Sequence, residues 1–490
     1  MDIRIGIIHS RDRIKVRFNG KYSYKVLDGS EKFIENESLE FDIVNGAVID
    51  YDWYEKVNTF YDIDELHKIR EKSFYDGENF RIEKCGRKIN EKLDNFEYWV
   101  LKKISCPPKG IYKMGDYKYK RIPRKYPEGK INCSDGLVHT NRIEFIAENE
   151  NCTFSVDDVT IGIGFHWEHQ AVLTYEGNFL IIVDLNGKIT GVNTIDLEKY
   201  LISVNSSEMR NDNNIEMLKA QTVAARGTVL ATIGKHHFGE GFDLCADDHC
   251  QCYQGVTRIT DLSKIVTEST RGEFLLSDKK IADTRYAKIC GGVSENYSTC
   301  WEDMDFLYLT PVSDNRENIS IDNSLSDEFN AVDFIDNDYD CFCNTKKHKL
   351  PESLDFCTPL FRWERRYKKC DLINLIFKNT GFHCGDEISF QTLKRGVSGR
   401  IISLKISGSS GEKIISKELN IRKALSDSFL PSSCIYFINE GNDIIIRGAG
   451  WGHGVGLCQV GAQVMGEKGY NYKEILFHYY KNSRLIKLND

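Results

Sequence analysis

The sequence has little proline, no long uncharged apolar run and no excess of positive charge. Only 8 prolines occur in 490 residues, and no window approaches the roughly 18 apolar residues of a transmembrane helix. The apolar run at residues 3–8 is too short for a signal peptide and is interrupted by Arg4. The formal net charge is -8, which gives no general support for nucleic-acid binding. By its own features the sequence predicts a soluble, cytoplasmic chain with no membrane span and no nucleic-acid partner.

Cysteine, by contrast, is abundant, with 16 residues. Since no export signal is seen, most are expected to be reduced thiols or small buried apolar groups. Residues 236–252 are different, because their cysteines and histidines have the short spacing of a structural zinc site with four ligands. A disulfide or unligated thiols are the alternatives there, and Cys290 with Cys300 would form a disulfide in an exported protein. The first choice of zinc ligands is Cys245, His249, Cys250 and His237, with His236 or Cys252 as a replacement.

The pattern of apolar residues predicts an α+β protein with many short strands and a few helices. Residues 1–150 are expected to form a β-rich accessory module with no catalytic constellation. A mixed core is expected over residues 156–490, with helices predicted at 196–204 and 215–235. Residues 313–356 are acidic and lack apolar periodicity, which is typical of an insertion or a mobile surface loop.

A glycine-rich stretch, RGAGWGHGVGLCQVGAQ, occupies residues 447–463. Its glycines recur at every second position, so an extended conformation would leave one face without side chains and open to a ligand or another backbone. A helix is predicted to begin near Gln459, and exposed backbone N–H groups are expected at its start. The stretch has no phosphate-loop pattern, and its interior has no lysine or arginine. A neutral polar ligand is therefore favoured over a phosphate.

Three stretches taken in order resemble one family. They are LEKYLISVNSSEM at 197–209, LKAQTVAARGTVL at 218–230 and the glycine-rich stretch at 447–463. Together they resemble the SpoIID/LytB family, the group of stage II sporulation protein D and the amidase enhancers. The resemblance covers about two thirds of the chain and leaves residues 1–150 unexplained.

The resemblance implies an activity on bacterial peptidoglycan, in cell-wall remodelling or sporulation. Sporulation members of this kind are lytic transglycosylases that cleave glycan strands already stripped of stem peptides and leave 1,6-anhydro-muramic ends. Other members are described as enhancers of a peptidoglycan amidase, so the implied partners are glycan strands, an amidase or other cell-wall proteins. Some members carry a zinc in the cysteine-rich loop. A location in the cell envelope is implied, which conflicts with the missing export signal.

Glu208 matches the catalytic acid of the family. Glycosidic cleavage needs a protonated carboxylic acid near the leaving oxygen, and a partly buried glutamate suits that task. A lytic transglycosylase can use one carboxylate where a hydrolase usually uses two, because the 6-hydroxyl of the sugar replaces water. From the residues alone, a solvent-exposed glutamate in a turn would be the simpler interpretation.

Four further residues are candidates for substrate binding, and three of them, Arg226, His453 and Gln459, match motifs of the family. Arg226 lies among small and apolar residues, where its charge must be paired or face a cleft. His453 and Gln459 offer neutral hydrogen bonds to sugar hydroxyl and acetamido groups. Trp451 offers a face for stacking on a pyranose ring, or it packs in the core.

The sequence departs from the usual family pattern at two positions. Cys458 stands where serine is usual, and Val460 stands where an aromatic residue is usual. These departures keep a non-catalytic glycan-binding protein or amidase enhancer as an alternative to the enzyme. A nucleophilic pair of Cys458 and His453 is a further alternative, although no orienting carboxylate is evident. The cysteine content also allows a cytoplasmic metal or thiol protein that reuses the fold.

Overall fold

A computed structural model describes residues 1–26, 29–48, 50–70, 79–107, 118–163, 168–315 and 323–488. The chain divides into two compact units. Unit 1 comprises Met1–Glu208 and Val229–Glu268, and unit 2 comprises Met209–Thr228 and Ser269–Asp490. Strands and helices both occur in quantity, which confirms the predicted α+β class. Among the helices of the described ranges, none has the length and apolar character needed to cross a bilayer.

Unit 1 is built mainly of strands. Its first two helices are α1 (Ile63–Arg70) and α2 (Leu197–Glu208). Its strands are β1 (Asp2–Arg11), β2 (Arg13–Asn19), β3 (Lys21–Lys25), β4 (Glu31–Glu35), β5 (Ser38–Val44), β6 (Tyr51–Phe60), β7 (Phe80–Cys85), β8 (Glu97–Ile104), β9 (Tyr119–Pro123), β10 (Lys130–Cys133), β11 (Val138–Thr140), β12 (Arg142–Ala147), β13 (Thr153–Ile161), β14 (His169–Glu176), β15 (Asn178–Val183), β16 (Ile189–Asp196) and β17 (Leu244–Cys245).

Two of the sheets in unit 1 face each other across an aromatic core. One has the strand order β17-β1-β16-β15-β12-β3-β4 and the other β11-β10-β5-β2-β13-β14. Phe18 of the second sheet lies 4.7 Å from Phe145 of the first, and Phe154 lies 4.8 Å from Phe179, between ring centroids. All four rings are buried. A third sheet has the order β7-β8-β6-β9.

The two facing sheets join residues from both sides of the predicted boundary at residue 150. Strand β1 pairs with β16, with Asp2 opposite Asp196, and β2 pairs with β13. Residues 1–150 therefore share sheets with later strands, which differs from the separate module expected from the sequence. The reason is that these period-2 strands each bury one face, and the partners that cover it come from distant parts of the chain.

Unit 2 mixes short sheets and helices. Helix α3 (Ile215–Thr232) belongs to it up to Thr228, and α4 (Asp261–Ser269) belongs to unit 1 up to Glu268. The other helices of unit 2 are α5 (Tyr297–Cys300), α6 (Glu328–Asp336), α7 (Lys369–Thr380), α8 (Glu418–Ala424), α9 (Gln459–Glu467) and α10 (Tyr472–Tyr479). The strands are β18 (Glu273–Ser277), β19 (Lys280–Ile281), β20 (Tyr286–Ala287), β21 (Arg362–Lys368), β22 (Ser389–Arg395), β23 (Ile401–Gly408), β24 (Gly411–Ser416), β25 (Ile435–Glu440), β26 (Asp443–Ala449), β27 (Leu457–Cys458) and β28 (Arg484–Lys487). Short 3-10 turns occur at Leu307–Leu309, Asn323–Ser326 and Glu352–Leu360.

The sheets β21-β26-β25 and β22-β23-β24 share a core with α7 and α8. Leu372 and Ile376 of α7 pack there with Leu404 of β23 and Ile446 of β26. The acidic segment 313–356 is more regular than the sequence predicts, because its described part contains α6 and two buried cysteines. Residues 316–322 of that segment lie outside the described residues.

Candidate functional site

Glu208 is the last residue of α2 in unit 1. The helix begins at Leu197, where the carboxylate of Asp196 accepts a hydrogen bond from the backbone N–H of Glu198. The side chain of Glu208 is half-buried, and its Oε1 accepts a hydrogen bond of 3.3 Å from the backbone N–H of Cys252. The carboxyl group is therefore anchored to the cysteine-rich loop.

Two further hydrogen bonds connect α2 to the same loop. The hydroxyl of Tyr200 lies 3.1 Å from Oε1 of Gln251, and the hydroxyl of Ser203 donates to the carbonyl of Gly255 at 2.6 Å. Tyr200 and Gln251 are both buried, so the contact is shielded from water. The position of Glu208 consequently depends on the conformation that residues 245–255 adopt.

The loop gathers all four of the residues chosen as zinc ligands. One ligand atom from each of His237, Cys245, His249 and Cys250 lies within 4.8 Å of the other three. The sulfur of Cys250 is 3.3 Å from Nε2 of His237 and 3.5 Å from Nδ1 of His249, and the sulfur of Cys245 is 3.7 Å from the same Nδ1. A tetrahedral zinc with bonds of about 2.3 Å to sulfur and 2.0 Å to nitrogen sets these atoms roughly 3.5 Å apart. The donor set and its spacing therefore fit a four-coordinate metal.

The surroundings of the four ligands also suit a metal. Nδ1 of His237 lies 2.6 Å from Oε2 of Glu240, and such a carboxylate orients a metal-binding histidine through its second nitrogen. Hydrogen bonds from Cys250 and the neighbouring histidines hold the pKa of Cys245 well below its usual value, which favours the metal-binding thiolate. The sulfur of Cys252 instead contacts Asp248 at 2.8 Å, while Nδ1 of His236 lies 3.5 Å from the sulfur of Cys250.

The glycine-rich stretch of unit 2 is not the extended strand that the sequence predicts. Its glycines at 450, 452, 454 and 456 have φ angles of +76°, +97°, +76° and +72°, so the backbone turns at every second residue. A Cβ at Gly454 would collide with the guanidinium of Arg400. The predicted helix start near Gln459 is confirmed, since α9 begins at that residue. The alternating glycines thus serve close packing inside unit 2.

The aromatic and histidine side chains of this stretch are half-buried. Trp451 lies edge-on to Phe356, with ring centroids 5.6 Å apart, and His453 lies 4.8 Å from Trp301. Nδ1 of His453 accepts a hydrogen bond of 3.0 Å from the backbone N–H of Val455. Burial and, less strongly, nearby arginines lower the pKa of His453 to about 3, so the ring is neutral at physiological pH.

Gln459 and Arg226 both lie in the interior of unit 2. Gln459 is 1% exposed and its Nε2 donates to Oε1 of Gln221 at 3.2 Å. Arg226 is 0% exposed and donates to the carbonyl of Glu273 at 2.8 Å, which is a structural contact. A role of either residue in substrate binding stays a prediction.

Sequence reasoning misses a buried polar network that supports the glycine-rich stretch. Arg400 is fully buried and donates to the carbonyls of Cys290 and Gly452 and to the hydroxyl of Ser398. That hydroxyl in turn donates to Glu295 at 2.7 Å, and the backbone N–H of Glu295 donates to the carbonyl of Gly454. The sequence carries no signal for this network, because its members lie far apart along the chain.

The side chains of Cys458 and Val460, where the sequence departs from the family pattern, are buried inside the protein. Cys458 is 1% exposed and Val460 is 0% exposed, so neither side chain is available to a ligand in solution. The suggested pair of Cys458 and His453 makes separate contacts. The sulfur of Cys458 accepts hydrogen bonds from the backbone N–H groups of Cys290 and Gly461, and Nδ1 of His453 accepts one from the backbone N–H of Val455. No disulfide joins Cys290 to Cys300 in the structure, where all sixteen cysteines are thiols and the sulfur of Cys290 lies 3.6 Å from that of Cys343.

Comparison with known proteins agrees with the motifs. A sequence model described as stage II sporulation protein matches residues 185–276, and one described as a domain of unknown function matches residues 295–456. The chain is 26% identical over 388 residues to an uncharacterized protein of Brachyspira hyodysenteriae, covering 78% of this chain and 89% of that protein. It is also similar to two proteins of Bacillus subtilis. The identity is 25% with the amidase enhancer, over 57% of this chain and 39% of that protein, and 24% with stage II sporulation protein D, over 60% and 75%. These similarities confirm the resemblance carried by the motifs and support the assignment of the chain to the SpoIID/LytB family.

Proposed function

We propose that the protein cleaves peptidoglycan glycan strands as a lytic transglycosylase, with Glu208 as the acid and base. The observation that carries the proposal is the anchored position of Glu208. It ends a helix, it is half-buried, and the backbone N–H of Cys252 holds its carboxyl group. The match to the sporulation protein model spans this residue and the cysteine-rich loop. A role in the cell wall or in sporulation follows from the same similarity.

The proposed reaction needs one carboxyl group and no water. Glu208 donates its proton to the bridging oxygen as the bond between that oxygen and the anomeric carbon breaks. The carboxylate then takes the proton of the sugar's 6-hydroxyl as that oxygen bonds to the anomeric carbon. The products are a strand with a free hydroxyl and a strand with a 1,6-anhydro end, and Glu208 is protonated again.

The test uses glycan strands stripped of stem peptides and mass spectrometry of the products. The wild-type chain is expected to release fragments that are lighter by one water than those of a hydrolase. Glu208→Gln keeps the size and the hydrogen-bond acceptor of the side chain but cannot donate a proton, so it is expected to lose cleavage. Glu176→Gln is the matched control, because Glu176 is also half-buried in unit 1 and its carboxylate forms an ion pair with Lys199. Full activity in Glu208→Gln, or products that have gained water, would contradict the proposal.

We further propose that the cluster of His237, Cys245, His249 and Cys250 holds a structural zinc. A metal held by these four residues would close the loop rigidly, and the loop holds Glu208 through the amide of Cys252. Metal analysis of protein purified without chelator is expected to find zinc, and Cys250→Ser is expected to hold one zinc fewer per chain. Retention of all metal in that variant would contradict the assignment of a zinc to this cluster.

A second candidate function is activation of a peptidoglycan amidase. The similarity to the amidase enhancer favours it, as do the buried positions of Arg226 and Gln459, which offer no exposed surface to a sugar. An enhancer would raise the rate at which an added amidase releases stem peptides, and Glu208→Gln would still do so. Cell fractionation adds a separate test, because both functions require the protein in the cell envelope and a cytoplasmic thiol or metal protein would be absent from that fraction.

A further inference from the structure

A second group of ligand atoms is buried in unit 2. One atom from each of Cys290, Asp314, Cys343 and Cys458 lies within 4.8 Å of the other three. All four side chains are less than 5% exposed. Distant parts of unit 2 supply them, including the end of β27 and the segment around the insertion. Buried cysteines usually scatter through a core as small apolar groups, so this convergence on one point requires a different explanation.

The distances between the sulfur atoms select the kind of group that fits. The sulfurs of Cys290 and Cys343 are 3.6 Å apart, far beyond the roughly 2.05 Å of a disulfide bond. Two thiolates on one tetrahedral ion with bonds of about 2.3 Å lie roughly 3.8 Å apart. A [4Fe–4S] cluster binds each thiolate to a different iron, and a [2Fe–2S] cluster needs two separated pairs of ligands, whereas all four ligand atoms here lie within 4.8 Å of one another. The spacing therefore fits one mononuclear ion.

Backbone N–H groups surround the sulfur atoms as they do in metal–thiolate sites. The sulfur of Cys458 accepts from the N–H of Cys290 at 3.2 Å and from that of Gly461 at 3.4 Å. Cys458 is also the N-cap of α9, so its sulfur lies at the positive end of the helix dipole. The sulfur of Cys290 accepts from the N–H of Gly292 at 3.4 Å. These donors stabilise the thiolate, which is the form that binds a metal.

Asp314 provides the fourth ligand and is oriented by its neighbours. Its side chain is 0% exposed, Oδ1 accepts from the hydroxyl of Tyr479 at 2.6 Å, and Oδ2 accepts from the N–H of Cys343 at 2.9 Å. Nε2 of His478 lies 3.9 Å from Oδ1, and that nitrogen is buried with no hydrogen-bond partner among the described residues. A carboxyl group buried beside thiols must be neutralised by a proton or by a cation, and a metal ion bound to the thiolates would supply the cation.

We propose that Cys290, Cys343, Cys458 and Asp314 form a second, closed metal site for a single divalent ion of the zinc class. Three thiolates and one carboxylate are a four-ligand set for a borderline-soft ion without redox chemistry. The sulfur of Cys341 lies 3.8 Å from that of Cys343 but is not one of the four converging ligand atoms. The ion would fasten the insertion to β27 and the start of α9. This site is independent of the proposed glycan cleavage and of the first metal cluster.

The test counts metal ions in the full chain and assigns each one to a site. Protein purified without chelator is expected to hold two zinc ions per chain by native mass spectrometry. Cys343→Ser and Cys250→Ser are each expected to hold one, and the double variant none. Cys384→Ser is the matched control, because Cys384 is fully buried in the apolar core of unit 2, and it is expected to hold two. Asp314→Asn provides a second, milder variant, with zinc lost at a lower chelator concentration than in the wild type.

Cobalt substitution supplies a measurement on the unaltered chain. Two sites with two and three thiolates are expected to give a sulfur-to-cobalt absorption equivalent to five thiolates per chain, which falls to two in Cys343→Ser. A single ion that is lost entirely in Cys250→Ser would overturn the proposal. Recovery of Cys290 and Cys343 as a disulfide-linked peptide from unreduced protein would overturn it as well. If Cys343→Ser does not fold, the zinc count and the cobalt spectrum of the wild-type chain decide the question.

Discussion

Replacing Gly454 with alanine tests the packing of the glycine-rich stretch. The residue has a φ angle of +76°, and a Cβ there would meet the guanidinium of Arg400. Arg400 is fully buried and makes hydrogen bonds of 2.8, 3.1 and 3.3 Å to Ser398, Cys290 and Gly452. The methyl group can be accommodated only if the guanidinium shifts, because the surrounding interior is closely packed.

The expected loss combines two terms. The left-handed backbone costs an alanine about 1–2 kcal/mol relative to glycine. A hydrogen bond from a charged group contributes about 1.5–3 kcal/mol, and the shift of Arg400 breaks at least one. The free energy of unfolding of unit 2 is therefore expected to fall by about 2.5–5 kcal/mol in Gly454→Ala. Urea denaturation of the wild type and the variant measures the difference.

Gly469→Ala is the matched control. Its φ angle is +89°, but no atom lies within 4 Å of the position that a Cβ would occupy. The control carries only the backbone term and is expected to lose about 1–2 kcal/mol. Equal losses in the two variants would refute the argument, because they would show that Arg400 adapts without cost. A larger loss in Gly469→Ala would refute the assigned backbone conformations.

Three further predictions concern the loop, a helix end and pH. Loss of the first zinc in Cys250→Ser is expected to slow glycan cleavage about 10- to 100-fold. It is also expected to speed hydrogen exchange at the amide of Cys252, which holds Glu208. An unchanged rate of cleavage in the variant without this zinc would contradict the prediction. Asn95→Ala is expected to lower the free energy of unfolding in urea denaturation by about 2–3 kcal/mol, since its Nδ2 shares its two hydrogens among three carbonyl oxygens at 2.8–3.3 Å near the C-terminal end of α3. Between pH 6.5 and 3, His453 is protonated in the unfolded chain but not in the folded chain. The free energy of unfolding is therefore expected to decrease as the pH is lowered, by up to about 1.4 kcal/mol per pH unit. His453→Gln is expected to show a shallower decline in a pH series of denaturation curves.

Helices of this fold are predictable because their signals are local. The apolar pattern predicts a helix over 215–235, and α3 spans Ile215–Thr232. The last helix is predicted over 472–480, and α10 spans Tyr472–Tyr479 behind a capping box formed by Asn471 and Glu474. The pairing of β1 with β16 is not predictable in this way, because many strands share the same period-2 pattern.

The candidate sites show the same division between local and distant information. The ligands of the first metal cluster lie within a short loop, so their spacing predicts their convergence. The second cluster draws on positions 290, 314, 343 and 458, which no spacing rule connects. The role proposed for Glu208 comes from the family resemblance, since an isolated glutamate at a helix end has no chemical signature of its own.

Replacement of Cys458 distinguishes a role in metal binding from a role in glycan cleavage. The thiol of Cys458 caps α9 by accepting a hydrogen bond from the backbone N–H of Gly461. Serine, which is usual at this position in the family, can also cap a helix, so the cap does not require a thiol. Its sulfur, however, points to Cys290 and Cys343, where a hydroxyl would be a poor ligand for a zinc-class ion. Cys458→Ser is therefore expected to lose one zinc per chain and to reduce glycan cleavage less than Glu208→Gln does. Loss of cleavage equal to that of Glu208→Gln with the metal content unchanged would show instead that the thiol acts on the substrate.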